Sequence, residues 1–283
     1  MWADSLTRSI ERSTWADSLG TKAALLFSRV VRPGPIKDLL SGTWLAHPVH
    51  PMLTDVTIGA WTSSFVLDVL PDDRAGWAAD ALVALGTLSA VPTVLTGLSD
   101  LADITDGEER AVGVYHALGN LTAVALYGMS FLARTRGSRS SGKALALLGA
   151  TVASAAGFLG GHLAYRKGVG VDQTTFEDRP VKWTPVLEDG QLSKGKARRV
   201  RLPGADILLY RSNGAIQALA NRCSHRGGPL HKGKFENGCV TCPWHLSTFR
   251  LEDGSIVRGP ATAPQPAYDV RLREGRIEVR VRH

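Results

Sequence analysis

The chain has 283 residues, 44% hydrophobic and 21% charged, with a formal net charge of +7 and three cysteines. That length allows one large domain or two modest ones, and three cysteines exclude a secreted disulfide scaffold. The basic residues are scattered and form no stripe interleaved with aromatics, which argues against nucleic acid and for an anionic membrane surface.

Mean hydropathy is −0.03, an average that hides a division. Residues from about 53 to 165 are strongly apolar, and those from about 172 to 283 are rich in charge, Gly and Pro. Residues 1–40 read as an amphipathic, interfacial segment. Their opening, "MWADSLTRSIERSTWADSL", holds acidic residues and early arginines but no apolar core, so it is not a secretory signal. The pentapeptide WADSL recurs at Trp2–Leu6 and Trp15–Leu19. That offset turns a helix by about 220° beyond whole turns, so the copies do not share a face.

Residues 41–172 are expected to form an all-α, four-helix transmembrane bundle. Ala144–Tyr165 and Ala111–Ala133 contain no Asp, Glu, Lys or Arg, and Ala81–Ser99 is uncharged between Asp80 and Asp100. Leu53–Leu70 is weaker, because it carries Asp55 and Asp68. Such runs reach or approach the ~20 residues that cross hydrocarbon. The alternative, a buried soluble bundle, lacks a polar stripe for water on the last two segments. Their Gly, Ala, Ser and Thr suit close packing in lipid. The positive-inside rule is balanced: Arg134, Arg136, Arg139 and Lys143 face Lys37, Arg110, Arg166 and Lys167.

Four crossings would bring His47 and His50 of "HPVHP", His116 and His162 to one membrane face, with Asp100 and Asp103. Each histidine alone has a capping or packing use. Gathered, they are candidates for a bis-histidine haem b, a metal or a quinone pocket. Gly157, Gly160 and Gly161 leave a bare helix surface beside His162, against which a macrocycle or a neighbouring helix can lie. With "HPVHPML", "GLSDLADI", "YHALGNL" and "GFLGGHLAYRKGVGV", this half resembles an uncharacterised family of small four-helix bacterial membrane domains. The resemblance implies a membrane location and no established chemistry.

Residues 173–180 read as a linker and 181–283 as an all-β domain, an antiparallel sandwich or barrel. "RRVRLPGADILLYRSNGAIQALAN" reads as three strands punctuated by Pro203-Gly204 and Asn213-Gly214, and "RLREGRIEVRV" as a hairpin around Glu274-Gly275. On this scaffold stand Cys223-x-His225 and Cys242-x-x-His245. A zinc site built on Cys239-x-x-Cys242 leaves Cys223 and His225 poorly placed. The two-part motif, with "HRGGPL" and "CPW", closely resembles the Rieske ferredoxin family. That resemblance implies a [2Fe-2S] cluster, with Cys223 and Cys242 as metal ligands to one iron, His225 and His245 to the other, and Ser247 as a hydrogen-bond donor to the cluster.

Departures from the family's high-potential members are also visible. Gly227 and Trp244 stand where those members carry an extra disulfide, and Phe249 stands where they carry tyrosine. Fewer donors to sulfur imply an intermediate potential. Cys239 is expected to be a buried free thiol, and Leu246 occupies a position where glycine is usual. The expected function is a membrane-anchored Rieske protein passing single electrons, to or from a haem, metal or quinone at the histidine face. The alternatives are a ferredoxin feeding a separate oxygenase, or a membrane redox sensor. Expected partners are lipid and a redox protein (a reductase, cytochrome or oxygenase). The sequence after His245 is too short for an oxygenase's own iron domain. A bacterial cell membrane is expected, with the cluster domain on the cytoplasmic side, because no twin-arginine pair precedes a crossing.

Overall fold

In the computed structural model, which describes residues 2–70, 75–212 and 215–282, helices fill the chain to residue 166 and strands follow from residue 184. The helices are α1 (Trp2–Glu11), α2 (Thr14–Val30), α3 (Pro35–Ser41), α4 (Val49–Val69), α5 (Gly76–Ala102), α6 (Gly107–Thr135) and α7 (Arg139–Gly161), the last extended by a π turn, His162–Arg166. The chain sorts into two units, Met1–Arg32 with Pro48–Val169, and Pro33–His47 with Gly170–His283.

The first unit is an up-and-down arrangement of α4 to α7, with α1 and α2 packed on α6. Local sequence sets its boundaries. Asp106 caps α6 by accepting the Glu109 N–H at 3.0 Å, and Glu108 and Glu109 complement the positive end of the helix dipole. At one end of the bundle an ion network ties all four helices. The Arg134 side chain, with 0% exposure, binds Asp68 of α4 and Asp80 of α5, and Arg139 of α7 binds both carboxylates.

The sequence predicted four crossings; among the described residues two helices meet the length and composition for one, Gly76–Ala102 and Arg139–Arg166. The difference has a physical origin. α4 carries His50 in its first turn and holds Asp55 and Asp68, and α6 opens with Glu108, Glu109 and Arg110 and carries His116 and Asn120, so both dilute their apolar runs with polar groups that serve the bundle.

In the second unit, antiparallel strands form two sheets. The larger runs β1-β10-β9-β4-β3-β2 and the smaller β5-β6-β7-β8. Their ranges are β1 (Thr184–Glu188), β2 (Ala197–Leu202), β3 (Ala205–Ser212), β4 (Ala215–Ala220), β5 (Lys234–Glu236), β6 (Cys239–Thr241), β7 (Thr248–Arg250), β8 (Ile256–Arg258), β9 (Ala267–Arg273) and β10 (Arg276–Val281). β9 and β10 turn at Glu274 and Gly275, with φ of 52° and 75°, the left-handed pair that a two-residue hairpin of type I′ demands. The turn predicted at Asn213-Gly214 lies outside the described residues.

β3 explains how the sheet serves the site. Ile207 and Leu209 enter one core with Ala218, Ile277 and Val279. Leu208, pointing the other way, enters a second core with Leu219, Leu230, Phe249, Ala261, Cys223 and Cys242. Burial on both faces accounts for the unbroken apolar run "ILL".

Two boundaries differ from the sequence reading. Residues 173–180, expected as a linker, are pinned to the β unit. The Gln173 and Asp178 amides donate to Ser224 O and Gly204 O at 2.9 Å, and Arg222 Nη2 donates to Gln173 Oε1 at 2.8 Å. Residues 33–47, placed across the interfacial segment and membrane domain, instead group with the β unit.

Candidate functional site

Two loops built on one plan form the site. Cys223 N donates to Gly228 O at 2.9 Å and Gly227 N to Cys223 O at 2.8 Å; Cys242 N donates to Ser247 O at 2.8 Å and Leu246 N to Cys242 O at 3.2 Å. Each loop therefore closes between its cysteine and the residues four and five positions on. The fourth position is left-handed in both, with φ of 74° at Gly227 and 64° at Leu246. Leu246 thus adopts the glycine conformation rather than altering the loop. Left-handed backbone costs a β-carbon residue about 1–2 kcal/mol, against about 0.5–1 kcal/mol for glycine's extra freedom when unfolded. Leu246 is 45% exposed and loses little packing. Leu246→Gly is therefore expected to raise the thermal unfolding midpoint slightly; a lowered midpoint would contradict the strain.

The plan brings both sulfurs together in the apolar core. The hydrogen bond from the Cys223 thiol draws the Cys242 thiol down to about 7 against the effect of burial, with help from the amides of Trp244 and His245. The Cys223 thiol is pushed up, first by that same hydrogen bond and then by burial, while the amides of His225 and Arg226 pull it down. Each sulfur therefore already faces two backbone donors suited to a thiolate. The His225 and His245 rings lie 5.0 Å apart at 87°, half-buried at the surface side of the cysteines. Trp244 and Leu246 flank them, about half exposed.

The surroundings fit a buried inorganic cluster. A β-carbon on Gly228 would lie 2.7 Å from Cys242 Sγ, so the loop is shaped to leave the sulfur bare. Ser247 is fully buried, and its hydroxyl oxygen accepts the Ala261 N–H at 3.0 Å. Among the described residues its proton meets no protein acceptor, and a buried hydroxyl without one is unfavourable. The donors also come as a thiol pair and an imidazole pair; among the described residues no three or more His, Cys, Asp or Glu side chains gather to hold a single ion. Phe249 is fully buried beside the cysteines.

Sequence reasoning missed the third component, the stretch from Gly259 to Gln265. Gln265 is buried; its Oε1 accepts the Ser224 N–H at 3.0 Å and its Nε2 donates to Ala220 O at 2.8 Å and Arg222 O at 2.6 Å, which fixes the start of the first loop. The Pro-rich "GPATAPQP" is the signal that could have pointed to an ordered loop there. Cys239, expected to be buried, is half-buried on β6, with its thiol turned to Asn237 O at 3.6 Å. It lies at the start of a short strand instead of in the core.

The membrane-face histidines have different neighbours. His47 belongs to the second unit. His50 and His116 make the same lock in two helix hairpins. His50 Nδ1 bonds Thr93 O at 3.0 Å and lies over Gly97; His116 Nδ1 bonds Ala156 O at 2.8 Å and lies over Gly160. In each case a β-carbon on the glycine would come within 2.8 Å of the ring, so the glycines serve interhelical packing. His162 Nε2 pairs with Glu11 at 3.0 Å. His50, His116 and His162 stand at one end of the bundle, each with a packing partner, and nothing in their geometry supports a shared haem, metal or quinone.

A β domain with two such loops is an iron–sulfur domain of the electron-transfer class. The chain belongs to the Rieske family: residues 182–269 match the family described as Rieske [2Fe-2S] domain, and residues 46–173 match the family described as predicted membrane protein, DUF2231. Its β unit is 36% identical over 92 residues to the 3-phenylpropionate/cinnamic acid dioxygenase ferredoxin subunit of Photorhabdus laumondii, covering 32% of this chain and 87% of that one. It is 34% identical over 89 residues to human apoptosis-inducing factor 3, covering 31% of this chain but only 15% of the relative's length. Among solved structures it is similar to the ferredoxin of carbazole 1,9a-dioxygenase from Nocardioides aromaticivorans IC177, at 26% identity, with a TM-score of 0.34 and coverage of 36% and 99%.

Proposed function

We propose that the chain is a membrane-anchored carrier of single electrons, in which Cys223 and Cys242 bind one iron of a [2Fe-2S] cluster and His225 and His245 bind the other. The observation that carries this reading is the pairing of two like loops, each offering one buried sulfur and one half-buried imidazole. The bound cluster supplies reversible one-electron chemistry. The protein's part is to hold two thiolates out of water, aim backbone amides at them, and present two neutral imidazoles as the exit to a partner. Trp244 and Leu246 form an apolar rim beside that exit, suited to a redox protein that docks briefly. Similarity to a ferredoxin subunit of a dioxygenase supports a reductase or a separate oxygenase as that partner. The helical unit serves as the anchor, supported by its membrane-family match and by two helices long and apolar enough to span.

The ligand assignment is tested by Cys242→Ser in the full-length protein. The expected result is loss of bound iron, acid-labile sulfide and the reversible one-electron redox wave. A variant that keeps all three would overturn the assignment.

A further inference from the structure

The stretch Pro33–His47 precedes the helical bundle in sequence, yet it groups with the β unit and lies outside the residues that match the Rieske family. α3 ends at Gly42 in the left-handed conformation, with φ of 86°, and a short 3-10 turn, Thr43–Leu45, follows. The stretch then makes two directed contacts on either side of Pro260. Gly259 N donates to Asp38 Oδ1 at 3.0 Å, and Thr43 Oγ1 donates to Ala261 O at 3.1 Å. A β-carbon on Gly259 would fall 2.1 Å from Thr43 Oγ1 and 3.1 Å from Asp38 Oδ1, so the strap seats directly against bare backbone. The far side of the same peptide segment is engaged at the site: Ala261 N donates to Ser247 Oγ at 3.0 Å, and Ala261 shares a core with Cys223 and Cys242.

We infer that Asp38 and Thr43 are positioning residues of the cluster site: by clamping Gly259 and Ala261 they hold the Ala261 amide on Ser247, which fixes the direction of the Ser247 hydroxyl and so the reduction potential. The chain of contacts is short and closed. Asp38 and Thr43 take one donor and one acceptor of the loop, Ala261 supplies the next donor, and Ser247 keeps its lone pair occupied and its proton free for the site. Release of the strap frees the loop and lets the hydroxyl turn, and a lost donor to sulfur lowers the potential. This inference rests on the cluster assignment above and assigns a role to residues on the far side of two apolar helices in the sequence.

Its test uses the full-length protein in detergent, with two readouts. The first is amide hydrogen exchange over the peptide containing Gly259 and Ala261, which requires no cluster. The second is the midpoint potential of the loaded protein. Asp38→Ala with Thr43→Val is expected to speed exchange in that peptide and to lower the potential in the same direction as Ser247→Ala, with no further shift when all three are combined. Thr43→Val alone keeps side-chain volume and carries the test if the pair fails to fold. Unchanged exchange would overturn the clamp. Faster exchange with an unchanged potential, or with a shift that adds fully to that of Ser247→Ala, would overturn its role at the site. A wild-type protein without a cluster would instead sink the proposed function, leaving the exchange result to judge the strap.

Discussion

Gly228→Ala is expected to give a folded chain that has lost its hold on the cluster. The added carbon would stand 2.7 Å from Cys242 Sγ and 3.2 Å from the Trp244 ring, well inside contact distance, and the sulfur has no freedom to retreat if it is a ligand. Gly228 has no left-handed backbone to strain, so the effect is confined to the crowded sulfur. Overpacking of this kind costs about 1–3 kcal/mol, which as binding energy is about a 5- to 150-fold weaker hold. Iron and sulfide per chain, measured beside the far-UV circular dichroism spectrum, check this. Gly190→Ala, with open space around it, serves as the control and should keep full iron. Full occupancy in Gly228→Ala would show that the sulfur points elsewhere.

Arg134→Ala is expected to be the most damaging substitution in the helical unit. Arg134 donates from Nη1 to Asp68 Oδ1 at 3.0 Å and Asp80 Oδ1 at 2.9 Å, from Nη2 to Asp68 Oδ2, and from Nε to Ser130 Oγ at 3.1 Å. Lys143 adds a bond to Asp68 O at 2.7 Å. Removal of the guanidinium strands two carboxylates, of which Asp68 is 8% exposed. An uncompensated buried charge costs about 3–5 kcal/mol, a large part of the roughly 5–15 kcal/mol that holds a typical domain. Arg139 still reaches both carboxylates, which holds the loss to the lower part of that range. The expected outcome is a clear fall in the thermal midpoint of the helical signal in detergent, with Arg134→Lys, which keeps the charge and loses the fork, in between. An unchanged midpoint would mean that the network contributes nothing net.

The sequence showed the cluster loops well because their chemistry is local: Cys-x-His and Cys-x-x-His are short, and glycine and proline frame them. The strands of the β unit were legible for a similar reason, since hairpin turns such as Glu274-Gly275 and alternating burial leave marks within a few residues. What escaped were contacts between distant stretches. Gln265 braces the first loop from about forty residues away, and Asp38 is separated in sequence from Gly259 by α4 to α7. No local pattern encodes such pairs. The histidines show the reverse: their gathering at one end was legible from the order of the helices, but only side-chain geometry shows His50 and His116 seated on Gly97 and Gly160. Among the described residues two of the four expected crossings have the length and composition for one, because α4 and α6 carry polar groups within their apolar runs.

The central claim, a Rieske electron carrier held in a membrane by its own helices, is tested most directly by electron paramagnetic resonance of carbonate-washed membranes containing the full chain, after chemical reduction. The account predicts a Rieske-type signal that stays with the washed membranes. A signal released into the wash, one characteristic of an all-cysteine cluster, or none in membranes that contain the protein, would contradict it.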